Sequence, residues 1–234
     1  MSVHPLEQLR YIARRWENGD DFPAQEIAAV LAELAGENPT SLLQACRRLI
    51  EYYPSTGAAW WLSARALSAP EPIEGIWEAA EELSSDPTAE LCARALPDEA
   101  QVAFPGPVPA VERALRQRKD VELLHRIGRK TDLLLLQARA AGPAGLLVGR
   151  SSSAPLATAA QTGVPVWAVL ERGALLPEPL WQQLLERALR GGPVEVVNAD
   201  DLSAVVSENG REEPAEALAR PTCPPVAELL GWKG

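Results

Sequence analysis

At 234 residues the chain is long enough for one large domain or two small ones, and 47% hydrophobic with 23% charged residues is the composition of a folded globular protein. A net charge of −10 disfavours non-specific binding to nucleic acid or to an anionic membrane, since both need clustered Lys and Arg. No apolar run reaches the ~20 residues of a membrane span, the first twenty residues lack a signal-peptide core, and three scattered cysteines with two histidines build neither a disulfide framework nor a zinc site, so a cytoplasmic protein without metal or cofactor is expected.

The first 97 residues predict an all-helical domain. Leu6, Leu9, Ile12, Ala13 and Trp16 recur at spacings of three and four, which predicts a helix over 3–18. Asp21 is placed to cap a second helix carrying Ile27, Val30, Leu31 and Leu34, with Gly36 at its end. Asn38-Pro39 opens a third helix, and Pro54 stops it. Ser55 or Thr56 opens a fourth, with Trp60, Trp61, Ala64 and Leu67 inward. Ile73, Ile76, Trp77, Ala80 and Leu83 form the stripe of a fifth, and Asp86-Pro87 starts a short sixth with Leu91, Cys92 and Ala95. No fixed period links these helices, so a solenoid is rejected.

From residue 98 the apolar residues fall into short continuous runs. Strands are predicted at 101–104, 121–124, 133–136 and 164–170, with 194–197 as the last, and an extended piece at 146–148. Helices are predicted at 108–118, 156–161 and 180–189, with a final turn at 202–207. Runs such as Leu133-Leu134-Leu135-Leu136 lack a polar alternate, as strands do when both faces are buried. Residues 98–208 thus read as a Rossmann-like α/β domain, a mainly parallel sheet flanked by helices. Seven residues between Leu124 and Asp132 are too few for a helical crossover. Either those strands are antiparallel, or one is not a strand, or a helical unit has been lost. Residues 209–234 read as a Pro-rich C-terminal tail whose apolar patch, Val226, Leu229, Leu230 and Trp232, packs on the body or on a second subunit.

Three places invite chemistry. Gly149-Arg150-Ser151-Ser152-Ser153 opens a helix, where free N–H groups, hydroxyls and a cation suit an anion; plain helix capping is the competing account. Phe104-Pro105-Gly106-Pro107 follows a strand at the end of the sheet where ligands of such folds sit, but its prolines remove donors. Asp132 is either a catalytic acid or a polar strand boundary, and His125, Arg126, Arg129 and Lys130 read as a solvated basic loop. No Walker A loop, Ser-His-Asp order or nucleophile elbow is present.

Residues 131–170 resemble the carboxyl-terminal domain of the family containing methylthioribose-1-phosphate isomerase, ribose-1,5-bisphosphate isomerase and the α, β and δ subunits of translation initiation factor 2B, a fold akin to the NagB, RpiA and CoA transferase group. In that family a strand ends in Gly-Ala-Asp, a glycine loop follows, Asn-Lys-x-Gly-Thr opens a helix, and Gly-x-Pro leads the next strand. The matching order here is LLLLQAR, AAGPAGLLV, GRSSS and TGVPVWAV. Gly149 stands at the Asn position, Arg150 at the Lys and Ser153 at the Thr. Ten residues before Gly149, the family's catalytic Asp falls on Arg139, and its catalytic cysteine has no counterpart. An arginine does not exchange its proton near neutrality, so the resemblance implies a homologue without catalysis. It implies a self-associating protein, a homodimer in the simplest case, that binds a small phosphorylated metabolite through Arg139, Gly149, Arg150, Ser151, Ser152, Ser153 and Gly106. Two further readings stay open: a sugar-phosphate isomerase using Asp132 or Glu171, and a purely structural or interaction protein.

Overall fold

The structure, a computed structural model, describes residues 4–16, 21–105, 109–191 and 193–232. Helices α1 (Pro5–Arg15), α2 (Ala24–Glu37), α3 (Pro39–Tyr52), α4 (Gly57–Ser68) and α5 (Pro72–Ser84) form one layer. Leu9, Ile27, Leu31, Leu49, Trp60 and Trp61 meet inside it, so the predicted helical stripes bury as periodicity requires. Asn38 Oδ1 accepts the Ser41 N–H at 2.9 Å, and Pro39 fills the first helical position.

Three local expectations are corrected. Pro23, not Asp21, holds the N-cap position of α2, without a side-chain bond. Gly36 lies inside α2, which ends at Glu37. On α5 the buried residues are Gly75, Ile76, Ala79 and Ala80, while Ile73 and Trp77 are 47% and 42% exposed. The reason is close packing of α5 on α2 and α4. A Cβ at Gly75 would lie 2.4 Å from Ala69 Cβ, so the small residues set the inner face and the indole turns out.

Helix α6 (Thr88–Ala95) leaves this layer, and its Cys92 and Ala93 pack with α7 (Pro109–Gln117) and the sheet. The strands are β1 (Gln101–Ala103), β2 (Glu122–Leu124), β3 (Leu133–Gln137), β4 (Ala140–Gly142), β5 (Gly145–Gly149), β6 (Val166–Val169), β7 (Val194–Asn198), β8 (Ala204–Ser207) and β9 (Gly210–Glu212). The main sheet runs β2-β1-β3-β6-β8-β9, parallel throughout except for β9. Leu134 and Leu136 enter one core cluster and Leu133 and Leu135 another, one on each face, which is why this run has no polar alternate. Strands β2 and β3 both lie parallel to β1, on its opposite sides, and no helix joins them. A strand of three residues spans only ~10 Å, so the short connection can return without one.

The remaining strands form a second, antiparallel sheet, β4-β5-β7. Residues 194–197 are therefore not the last strand of the main sheet. That place belongs to β8 and β9, where residues 202–207 were expected to make a turn. Helix α9 (Glu178–Gly191) covers the second sheet, and its Leu180, Trp181 and Leu184 join the helical cluster. Only glycine fits at 142, because a Cβ there would stand 2.2 Å from the Trp181 ring.

Residues 209–232 pack on the body. Helix α10 (Pro214–Leu218) buries Ala217 and Leu218 with the sheet. Cys223, Val226 and Leu229 then return to the helical cluster. Trp61 Nε1 donates to Thr222 Oγ1 at 3.4 Å and Arg47 Nη2 to the Glu228 carbonyl at 2.9 Å. Among the described residues no helix is long and apolar enough to cross a membrane.

Candidate functional site

The chain passes from β1 to β2 on one side of it and then from β2 to β3 on the other side, so the direction of strand addition reverses at β1. In parallel sheets such a reversal opens a crevice at the carboxyl ends of the strands. Phe104, Pro105, Gln137, Ala138 and Arg139 stand at that crevice, and Gly106 lies outside the described residues.

Arg139 is held by its backbone from two directions. Its N–H donates to the Leu147 carbonyl at 2.8 Å, and its carbonyl accepts the Gly57 N–H, the first of α4, at 2.8 Å. Gly57 itself is tightly boxed, since a Cβ there would meet the Ala174 carbonyl oxygen at 2.7 Å. The Arg139 guanidinium reaches back over β5. A Cβ built on Gly149 would be 3.9 Å from Arg139 Nε and 3.6 Å from Ser151 Oγ. The absence of a side chain at 149 thus leaves space between a guanidinium and a hydroxyl. Burial pushes the Arg139 pKa down, which marks a cation drawn partly out of water.

A 3-10 turn, Arg150–Ser152, leads into α8 (Ser153–Thr162). Arg150 and Ser151 are exposed, whereas Ser152 is buried. Ser153 Oγ shares its one proton between the Arg150 carbonyl, at 3.0 Å, and the Glu195 carboxylate on β7. Arg139, Gly149 and Ser151 are brought together; Ser153 is turned toward a carboxylate, and that contact opposes an anion at its hydroxyl.

A second group of polar side chains stands where β3 and β6 end. Glu171 is hydrogen-bonded to Gln137, and its pKa is pushed up to about 7, first by burial and then by the charges of Asp86 and Asp21. Gln137 Oε1 is buried without a hydrogen-bond partner among the described residues. Asp86 is fully engaged: Oδ1 accepts from Thr88 N–H and Oγ1 at 3.0 and 2.6 Å, and Oδ2 from the Arg172 N–H at 2.9 Å. Arg172 ties the helical layer to the sheet, donating to the Glu82 carbonyl at 2.9 Å and pairing with Glu208 after β8. Gln137 had no motif to announce it, and Asp86 was legible only as part of the Asp86-Pro87 helix start. A lone amide closing an all-leucine run was the one visible signal for Gln137.

Asp132 stands at the amino end of β3, opposite the crevice, and accepts the Gln101 N–H at 2.8 Å. It is a strand-end acceptor. His125, Arg126, Arg129 and Lys130 are exposed on the connection between β2 and β3. The three thiols are buried, and burial pushes each to about 12, so none is a nucleophile at neutral pH. No group of His, Cys, Asp and Glu among the described residues could hold a metal.

No protein-family profile and no curated protein sequence matches this chain. Solved structures do. The tetrameric eIF2B β2δ2 complex of C. thermophilum aligns over 92% of this chain and 93% of that one, at 18% identity and a TM-score of 0.71. The translation initiation factor eIF-2B of Pyrococcus horikoshii OT3 aligns over 93% and 100%, at 12% identity and 0.71. The 5-methylthioribose 1-phosphate isomerase of the same organism aligns over 92% and 86%, at 13% identity and 0.56. At these identities the likeness is one of fold, and it covers the helical layer and the sheet together.

Proposed function

We propose that this chain is a non-catalytic homologue of the initiation factor 2B and sugar-phosphate isomerase fold that binds a small phosphorylated metabolite and self-associates. The observation that carries the reading is the guanidinium of Arg139 beside the space above Gly149. By the family spacing a catalytic carboxylate belongs at that position, and here a fixed cation faces a hydroxyl across a gap. Arg139, Ser151 and the exposed Arg150 supply charge-assisted donors to a phosphoryl group, while the buried Ser152 and the carboxylate-bound hydroxyl of Ser153 stand outside that set. The tetrameric state of one structural neighbour supports self-association. Cytoplasmic placement belongs to the same reading.

Thermal-shift titration with inorganic phosphate, ribose 5-phosphate and AMP tests binding. A ligand at a hundred times its dissociation constant stabilises by about 2.7 kcal/mol, which for a chain of this size raises Tm by about 5 °C or more. The Arg139→Ala variant should lose that shift. No shift at millimolar ligand, or an equal shift in Arg139→Ala, overturns the reading.

A second reading rests on Glu171. A carboxyl group titrating near 7 at the carboxyl end of a parallel sheet is suited to moving a proton between adjacent carbons of a sugar phosphate. Under this reading the chain is an aldose–ketose isomerase with a relocated acid/base. Proton exchange at C2 of ribose 5-phosphate, followed by NMR in deuterated water and lost in Glu171→Gln, would establish it. No exchange in the wild type disposes of it.

A further inference from the structure

Among the described residues strand β7 pairs along only one of its two edges, since the second sheet ends with it. Beside it runs a groove of about 560 Å³. One wall is Glu195, Val196 and Val197 of β7, the other is the flank of α8 with Leu156, Ala157 and Ala160, and Asp201 also lines it. The two walls match in length: ten helical residues rise ~15 Å and five strand residues ~17 Å. An edge strand offers a row of unpaired N–H and C=O groups, and a helix set alongside makes a slot for one more strand.

Charge decides what enters. Among the described residues, the ionisable groups lining the groove are Glu195 and Asp201, both acidic. Ser153 satisfies Glu195 Oε2, while Oε1 is buried with no partner among the described residues. A buried carboxylate oxygen in that state is costly until a donor arrives. Val196, at the middle of β7, is 43% exposed and ready to pack.

We propose that the β7–α8 groove binds an extended, basic peptide segment of a partner protein, which adds as a fourth strand to β4-β5-β7 and places a Lys or Arg on Glu195. The alternating apolar side chains of the segment lie against Leu156, Ala157 and Val197. An acidic or phosphorylated segment is excluded by the same two carboxylates. This site does not depend on the anion turn at Arg139.

The test uses fluorescein-labelled pentapeptides of alternating valine and threonine with one central lysine, and the same peptide with norleucine in place of lysine. With the full chain, polarisation should rise saturably for the lysine peptide. Glu195→Gln should weaken it about tenfold, the usual cost of a lost charge-assisted hydrogen bond, and leave the norleucine peptide unchanged. Ala160→Phe, which fills the groove, should abolish binding of both. Hydrogen exchange should show new protection over residues 194–198 when the lysine peptide is added. No saturable binding, protection confined to other strands, or equal affinities for the two peptides in wild type and Glu195→Gln would each overturn the proposal. So would a dimer, by sedimentation, whose β7 amides are protected before any peptide is added, because a second copy would then fill the groove.

Discussion

Glu171 shows how much one residue's surroundings decide. Its carboxyl ionises at 4.5 in an unfolded chain and at about 7 here. Below 4.5 both states are protonated and the group costs nothing. Between 4.5 and about 7 the unfolded chain releases its proton first, so folding stability falls as pH rises, and above 7 the loss is complete. At 1.36 kcal/mol per pH unit the fall is about 3 kcal/mol. Urea denaturation at pH 5 and pH 8 should reveal it, and Glu171→Gln should remove most of the slope and leave a protein more stable than wild type at pH 8. The opposite kind of residue is Gly57. Its replacement by alanine drives a methyl group into the Ala174 carbonyl, so a loss of about 1–3 kcal/mol is expected in the same assay. Neither effect could be read from the chain. Glu171 follows a strand and gives no hint of Asp86, and Gly57 looks like an ordinary first helical residue.

At the level of elements, periodicity was informative wherever an element buries a wide face by itself. Helices α1 to α4 and strand β3 fall where the apolar spacing puts them, because each contributes large side chains to a core. It misled where small residues or neighbours set the burial. The inner face of α5 is chosen by Gly75, Ala79 and Ala80, so Ile73 and Trp77 point the wrong way for a simple stripe. Strand β8 is only four residues between polar flanks, and it buries because β6 and β9 enclose it. The hairpin of β4 and β5 looked like a glycine loop, since its pairing partner β7 comes some forty-five residues later. The serine turn and Arg139 were visible as residues, but their approach across Gly149 depends on that hairpin's register. Trp181 of α9 seals the hairpin against the helical layer. Trp181→Ala should cost about 3–5 kcal/mol, measured by thermal or chemical denaturation, the range for emptying a buried aromatic site.

Across the whole molecule, the helical layer and the sheet are joined at the carboxyl ends of the strands. Arg172 bridges Glu82, at the end of α5, to Glu208, beyond β8. The candidate ligand crevice lies in the same region, so a ligand there should tighten that joint. Phosphate-dependent protection from hydrogen exchange in α4 as well as in β3 would be its signature, and protection limited to residues 149–153 would show that the joint is indifferent to the ligand. Self-association is read by light scattering on a sizing column, where a dimer is expected and a strict monomer counts against it.

The return of residues 222–232 to the helical layer carries a further consequence, one of timing during synthesis. Arg47 waits for Glu228, Trp61 for Thr222, and the cluster between them lacks Cys223, Val226 and Leu229 until they are made. At ~5–20 residues per second, the helices stand open on the order of ten seconds before their last wall exists. Translation stalled before residue 222 should therefore yield a helical layer that proteases cut readily, while the same chain extended through residue 232 and clear of the ribosome resists them.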